Sequence, residues 1–285
     1  MSWTRRDVLE SGLKAGAATV AGTARGAPPR FFGVHPFVEA HPGAVFIRRT
    51  KVARKMDAPA KRDEGLNLAR ELFVPLERAG IPISYRIILK PNVCSRVAKD
   101  RPPEELWGTG TDPDFYEGIV MGLKELGLKT FYFLEANSPE LWNVRGFVTI
   151  NQRHGIRMNQ TAREIQDFRE GREMTWSKVP EGVVFRRIPH YAPLNEPGTW
   201  LLNIAKWKAH PMCLSQSVKN EQGLVVRPYV LFCRGWPEVT GVADFMKPDI
   251  HPEAEARIQR AFERHLRAGY ARYDSADRDN VISQE

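Results

Sequence analysis

At 285 residues the chain is long enough for one large domain or two small ones. Its hydrophobic share of 42% and charged share of 27% are ordinary for a globular protein. The formal net charge of +8 is scattered, with no dense Lys/Arg block interleaved with aromatics, so composition gives no support for a nucleic-acid surface.

Thr4-Arg5-Arg6-Asp7-Val8-Leu9 is a twin-arginine pattern, followed by a weakly apolar run from Gly12 to Ala27. That order predicts a twin-arginine signal peptide over residues 1–27, the export machinery as partner and a periplasmic location. The run is too short and polar for a stable membrane span, and Lys14 lies within it. This route carries folded proteins, often already loaded with a cofactor, which motivates a cofactor without naming one. Cys94, Cys213 and Cys233 form no C-x-x-C pair, which argues against a zinc knuckle or a self-contained ferredoxin cluster. One disulfide, or three small buried apolar residues, are the two readings.

Residues 28–60 read as an irregular arm, with Ala44–Ile47 a short strand candidate and Met56–Lys61 a linker. An α/β domain is expected over 61–285. The apolar stripe Leu66, Ala69, Leu72, Phe73 and Leu76 predicts a helix over Glu64–Ala79 stopped by Gly80. A strand over Ile83–Leu89 then delivers Lys90-Pro91-Asn92. Thr111-Asp112-Pro113 is a helix start, with a buried stripe running to Leu126 and Gly127 as its stop. A strand over Lys129–Leu134 releases Glu135-Ala136-Asn137, and a helix over Val144–His154 ends at Gly155. Further elements are a helix over Gln160–Gly171, strands over Val183–Ile188, Trp200–Ile204 and Leu224–Cys233, and a helix over His251–Arg267.

The alternation of strands and helices predicts an open, mainly parallel, Rossmann-like α/β sheet with helices on both faces. Ligands of such sheets gather outside the carboxyl ends of the strands. Lys90, Asn92, Glu135, Asn137 and the segment Lys206 to His210 all fall there. No Gly-x-Gly-x-x-Gly loop or P-loop is present, so the cofactor stays unknown.

Leu201 to Gly223 is the stretch where chemistry is expected, because an apolar strand there runs into Lys206, Lys208, His210, Ser215, Lys219, Asn220 and Gly223. Residues two apart share a face only while a strand continues, and the Ala209-His210-Pro211 turn is expected to break it, so one of Lys206 and Lys208 enters a pocket. Lys208 is the choice here, with Lys206 able to replace it. His210 is the candidate acid–base group or metal ligand, with an ordinary loop histidine as the alternative. Lys219 and Asn220 fit either an anion site or a helix end.

Ile88-Leu89-Lys90-Pro91-Asn92-Val93, Thr111-Asp112-Pro113, Asn203 to His210, and Val218-Lys219-Asn220-Glu221-Gln222-Gly223 together resemble the domain of unknown function 362 family, over roughly residues 80–235. The twin-arginine leader is similar to its exported branch. Some members carry ferredoxin-type cysteines, which this chain lacks. Members usually continue into a Gly- and Asp-rich segment that is not seen here, so a C-terminally truncated chain is expected. The resemblance implies fold more than activity. Two functions remain open: an enzyme or cofactor- or metal-dependent protein acting on a small anion, with His210 and Lys208 catalytic, or an anion-binding protein without catalysis.

Overall fold

The structure is a computed structural model, and it describes residues 30–94, 108–136, 138–160, 173–210, 213–215, 217–233 and 246–267. The signal segment, Asn137 and all but Gln160 of the expected 160–171 helix lie outside the described residues. The chain divides into two compact units, residues 1–85 with 114–129, and residues 86–113 with 130–285.

The first unit contains a three-stranded antiparallel sheet. Strand β1 (Phe31–Val34) lies between β2 (Phe73–Leu76) and β3 (Ile81–Pro82). The 28–60 arm is therefore not irregular throughout. It holds β1, the short helix α1 (Pro36–Glu39) and the start of α2 (Ala58–Leu72). Ala44–Ile47 forms no strand. Val45 and Ile47 are 86% and 80% exposed, and both edges of β1 are already occupied.

Helix α2 starts earlier than its apolar stripe suggests, because the Asp57 carboxylate caps the Ala60 amide at 3.1 Å. It also stops earlier, at Leu72. Pro75 disfavours a helical Val74 and cannot donate a helical hydrogen bond, so Phe73 turns extended and the chain enters β2. Gly80, expected as a helix stop, lies between β2 and β3 at φ 145°, facing the Phe32 carbonyl.

Helix α3 (Pro113–Glu125) carries Gly118 and Gly122 against α2. A Cβ on Gly118 would fall 2.0 Å from the Arg62 carbonyl oxygen, so the two backbones approach as closely as glycine allows. Ion pairs Lys61–Asp114 (2.7 Å), Arg62–Glu117 (2.7 Å) and Arg70–Glu125 (2.6 Å) line the same contact.

The second unit is built on a four-stranded, wholly parallel sheet in the order β6-β5-β4-β9. These strands are β4 (Arg86–Pro91), β5 (Thr130–Phe133), β6 (Arg157–Met158) and β9 (Thr199–Ile204). The open α/β architecture expected from the alternation is the one observed. Ile87, Ile88 and Leu89 are completely buried, as a central strand of a parallel sheet requires. Ile88 packs with Leu134, Tyr191, Leu224 and Val226.

The helix expected over Val144–His154 begins later. A helix not expected, α4 (Pro139–Val144), precedes it; left-handed Gly146 parts the two, and α5 (Phe147–His154) ends at Gly155 as expected. Phe133 stacks edge-on to Trp142 and tilts against Phe147, which fixes both helices on β5.

The expected 183–188 strand is displaced. Strand β8 spans Arg187–Tyr191 and pairs antiparallel with β7 (Met174–Lys178), while Val183 to Phe185 drop into a second core with Tyr229, Met246 and Ala261. On β8, burial pushes the His190 imidazole down to about 4, so it is neutral near pH 7. Lys208–His210 (β10) and Cys213–Ser215 (β11) form a hairpin, followed by α6 (Ser217–Glu221). Leu224–Cys233 is not a strand: Arg227–Cys233 is helix α7, with Pro228 in its first turn, where a missing amide costs nothing. Ala254–Arg267 is helix α8.

The α2–α3 contact gives a direct test. Gly118→Ala should lower the denaturant midpoint of unfolding by an amount corresponding to about 1–3 kcal/mol, whereas Gly155→Asn, whose position has no atom within 4 Å and suits a left-handed residue, should change it little.

Candidate functional site

Strands β4, β5 and β9 end side by side, with Leu89 opposite Phe133 and Pro91 opposite Ile204. Their carboxyl ends release Asn92, Glu135 and the segment leading to Lys208. The site grows from that edge.

Its floor is Lys90. The side chain is 1% exposed, and an ammonium there needs a counter-charge. Glu135, 3% exposed, supplies it at 2.5 Å, and the Pro91 carbonyl accepts a second hydrogen bond at 2.7 Å. Asn159, just past β6, holds the Glu135 backbone from both sides: its Oδ1 accepts from the Glu135 amide at 2.8 Å and its Nδ2 donates to the Glu135 carbonyl at 3.2 Å. Gly223 closes over the pair. A Cβ there would lie 2.7 Å from Lys90 Cε and 2.8 Å from Glu135 Oε1, so only glycine fits. Burial raises the neighbouring Tyr191 phenol to about 12, and the Glu135 carboxylate adds to that rise.

Asn220, on α6, forms the next layer. Its Nδ2 donates to the Lys90 carbonyl at 2.9 Å and to Asn203 Oδ1 at 2.8 Å. Its Oδ1 accepts from Asn92 Nδ2 at 3.0 Å and Lys90 Nζ at 3.3 Å. Asn203 passes the network on to the Ser217 carbonyl and Glu221, each at 2.9 Å.

The outer layer centres on Lys208. Its Nζ donates to Asn92 Oδ1 at 2.8 Å, to the Thr109 carbonyl and to Cys94 Sγ. The Cys94 sulfur lies 3.1 Å from Asn92 Oδ1 and 2.8 Å from the Thr109 carbonyl, either of which can take its single proton. Arg145 Nη2 donates to the Cys94 carbonyl and to Thr109 Oγ1, both at 2.5 Å. Burial lowers the Arg145 guanidinium from its usual range. Thr111, two residues before α3, ties the edge together: its Oγ1 accepts from the Asn92 amide at 2.8 Å and donates to the Ile204 carbonyl at 2.6 Å.

Of the residues singled out in the sequence, Lys90, Asn92, Glu135, Asn220 and Lys208 thus join one continuous network. Lys206 enters none of these hydrogen bonds. Lys219 is half-buried on the same helical turn as Asn220. His210 has its backbone in β10 and Ser215 in β11, but their side chains lie outside the described structure, as does Asn137. Sequence reasoning missed Cys94, Thr109, Arg145 and Asn159 as participants. Asn203 did carry a signal, a lone amide inside the apolar run Leu201 to Ile204.

Among the described residues, no group of three or more His, Cys, Asp or Glu is placed to hold a metal ion. No described helix is long and apolar enough to cross a membrane. Fold and site together define an open parallel α/β protein with a layered Lys–Glu–Asn network at its strand ends. No protein-family model matches the chain, and neither a curated protein nor a solved structure matches it.

The floor pair is the most sensitive element. Lys90→Met removes a cation from a buried carboxylate and should destabilise the fold by about 3–5 kcal/mol. Lys90→Met combined with Glu135→Gln should recover part of that loss, as read from denaturant unfolding of the four proteins of the cycle.

Proposed function

We propose that the chain binds a small anion, a carboxylate or phosphate, at the carboxyl edge of its parallel sheet. The reading rests on one observation. The Lys208 ammonium is half-buried, and its hydrogen-bond acceptors among the described residues are Asn92 Oδ1, Cys94 Sγ and the Thr109 carbonyl, none of them a carboxylate. Lys90, by contrast, has its charge offset by Glu135. A partly desolvated cation with no carboxylate among those acceptors gains more from an anion than a surface lysine does. The guanidinium of Arg145, reaching the same Cys94–Thr109 strip, adds to the positive potential there.

A catalytic reading draws on a different observation, the Cys94 thiol set directly against Lys208, which puts a nucleophile beside an anion-binding cation. His210, two residues further along β10, is the acid–base group in that reading. The resemblance to the domain of unknown function 362 family, exported branch, accompanies both readings and supplies the proposed route: export through the twin-arginine machinery to the periplasm.

Titration with acetate and with inorganic phosphate at fixed ionic strength tests the site. Lys208→Met should weaken binding by about 1.5–3 kcal/mol, roughly ten- to a hundredfold, while Lys206→Met stays near wild type. Equal affinities for wild type and Lys208→Met, with both proteins folded, would return Lys208 to a purely structural role.

The leader is tested separately. Replacing both Arg5 and Arg6 with Lys should retain the full-length protein in the cytoplasm, as read by cell fractionation. Undiminished export of that double variant would remove the twin-arginine assignment.

A further inference from the structure

We propose that Cys94 and Lys208 form a reversible covalent bridge, a sulfenamide joining Sγ to Nζ, when a peroxide oxidises the thiol, and that the bridge switches off the anion site. Only the second half rests on the anion-binding reading. The geometry points to this pair because the two groups are not merely neighbours. Nζ donates to Sγ directly, and both groups lie within hydrogen-bond distance of the same two acceptors, Asn92 Oδ1 and the Thr109 carbonyl. Those shared acceptors hold sulfur and nitrogen on one small arc of surface. Cys94 is half-buried, so a molecule as small as hydrogen peroxide reaches it.

The chemistry balances in two steps. The thiol attacks one peroxide oxygen, the O–O bond breaks, and sulfenic acid and water result; sulfur is oxidised by two electrons and peroxide is reduced by two. The Lys208 ammonium releases one proton to solvent, and its nitrogen lone pair attacks sulfur. The S–O bond breaks, hydroxide leaves as water with a second proton from nitrogen, and an S–N bond remains. Two equivalents of a thiol reductant reverse it, regenerating the Cys94 thiol and the Lys208 amine and forming one external disulfide. The bridged nitrogen is no longer an ammonium, so the charge that attracts the anion is gone while the bridge lasts.

The test uses the full chain and hydrogen peroxide. After oxidation, alkylation of remaining thiols and proteolysis, mass spectrometry should find the Cys94 peptide joined to the Lys208 peptide, lighter than their sum by two hydrogens and separated by dithiothreitol. Lys208→Met should give instead a Cys94 sulfenic acid trapped by dimedone. Lys208→Arg, which keeps the charge but lacks a primary amine, serves the same purpose if the methionine variant does not fold. Phosphate affinity should fall roughly ten- to a hundredfold on oxidation and return on reduction. In Cys94→Ser protein, whatever its starting affinity, peroxide should change nothing. Recovery of oxidised Cys94 as a disulfide with Cys213 or Cys233, as sulfinic acid, or joined to Lys208 with an extra oxygen overturns the proposed bond. A bridge that forms in a protein whose reduced wild type and Lys208→Met bind phosphate equally leaves the bond standing and removes the anion site.

Discussion

An ammonium that is 1% exposed dictates the arrangement around it. Lys90 lies near the carboxyl end of β4, one of the two strands flanked on both sides by parallel neighbours. Desolvating its charge costs several kcal/mol unless an opposite charge lies against it. Glu135 lies within reach because β5 is the hydrogen-bonded neighbour of β4 and Leu89 faces Phe133, so the two charged residues emerge within one residue of the same level. The pair then constrains what covers it. Gly223 is excluded from carrying a side chain, Asn159 must grip the Glu135 backbone, and Asn220 must accept the ammonium's remaining proton.

Asn220 shows why amides rather than further charges fill the space above. An asparagine side chain has two donors and two acceptor positions, and here all four are used: two donated bonds, to the Lys90 carbonyl and Asn203, and two accepted ones, from Asn92 and Lys90. A residue so satisfied tolerates being 4% exposed. A carboxylate in its place could donate nothing to Asn203 or to the Lys90 carbonyl, and a second lysine would crowd like charges.

The sequence carried the floor of the site more legibly than its rim. Lys90, Asn92 and Glu135 were visible because each follows an apolar run by one to three residues, and the parallel sheet turns that position along the chain into a shared edge. Glycine stops at 127 and 155 were equally plain, since left-handed residues end helices for reasons local to the backbone. Lost signals were those decided by distant partners. Phe73 and Leu76 continue a helical stripe, yet Pro75 and the opening beside β1 draw them into a strand. Leu224 to Cys233 is apolar enough for a strand, but packing of Tyr229 against Phe185 and Trp176 is better served by a helix. Cys94 read as a small buried apolar residue because nothing in the sequence brings Lys208 near it. Arg145 gave no signal, lying inside the expected 144–154 helix and, in the structure, in the turn that Gly146 makes between two helices.

Asn92 joins the two tiers, and its amide makes them interdependent. Nδ2 points down to Asn220, and Oδ1 points out to Lys208 and Cys94. This orientation is electrostatically consistent at both ends: the carbonyl dipole faces the outer ammonium, and the amino group faces Asn220 Oδ1, an oxygen that Lys90 also polarises. Reversing the amide would set an NH2 group against Lys208 and an oxygen against Asn220 Oδ1, breaking three hydrogen bonds at once. The inner pair, neutral in net charge and closed to solvent, thus fixes the direction of the outer acceptor. That acceptor in turn holds Lys208 without neutralising it. Lys208 is thus positioned without a carboxylate among its hydrogen-bond acceptors in the described residues, and the buried ion pair below supplies the rigidity that loops alone would lack.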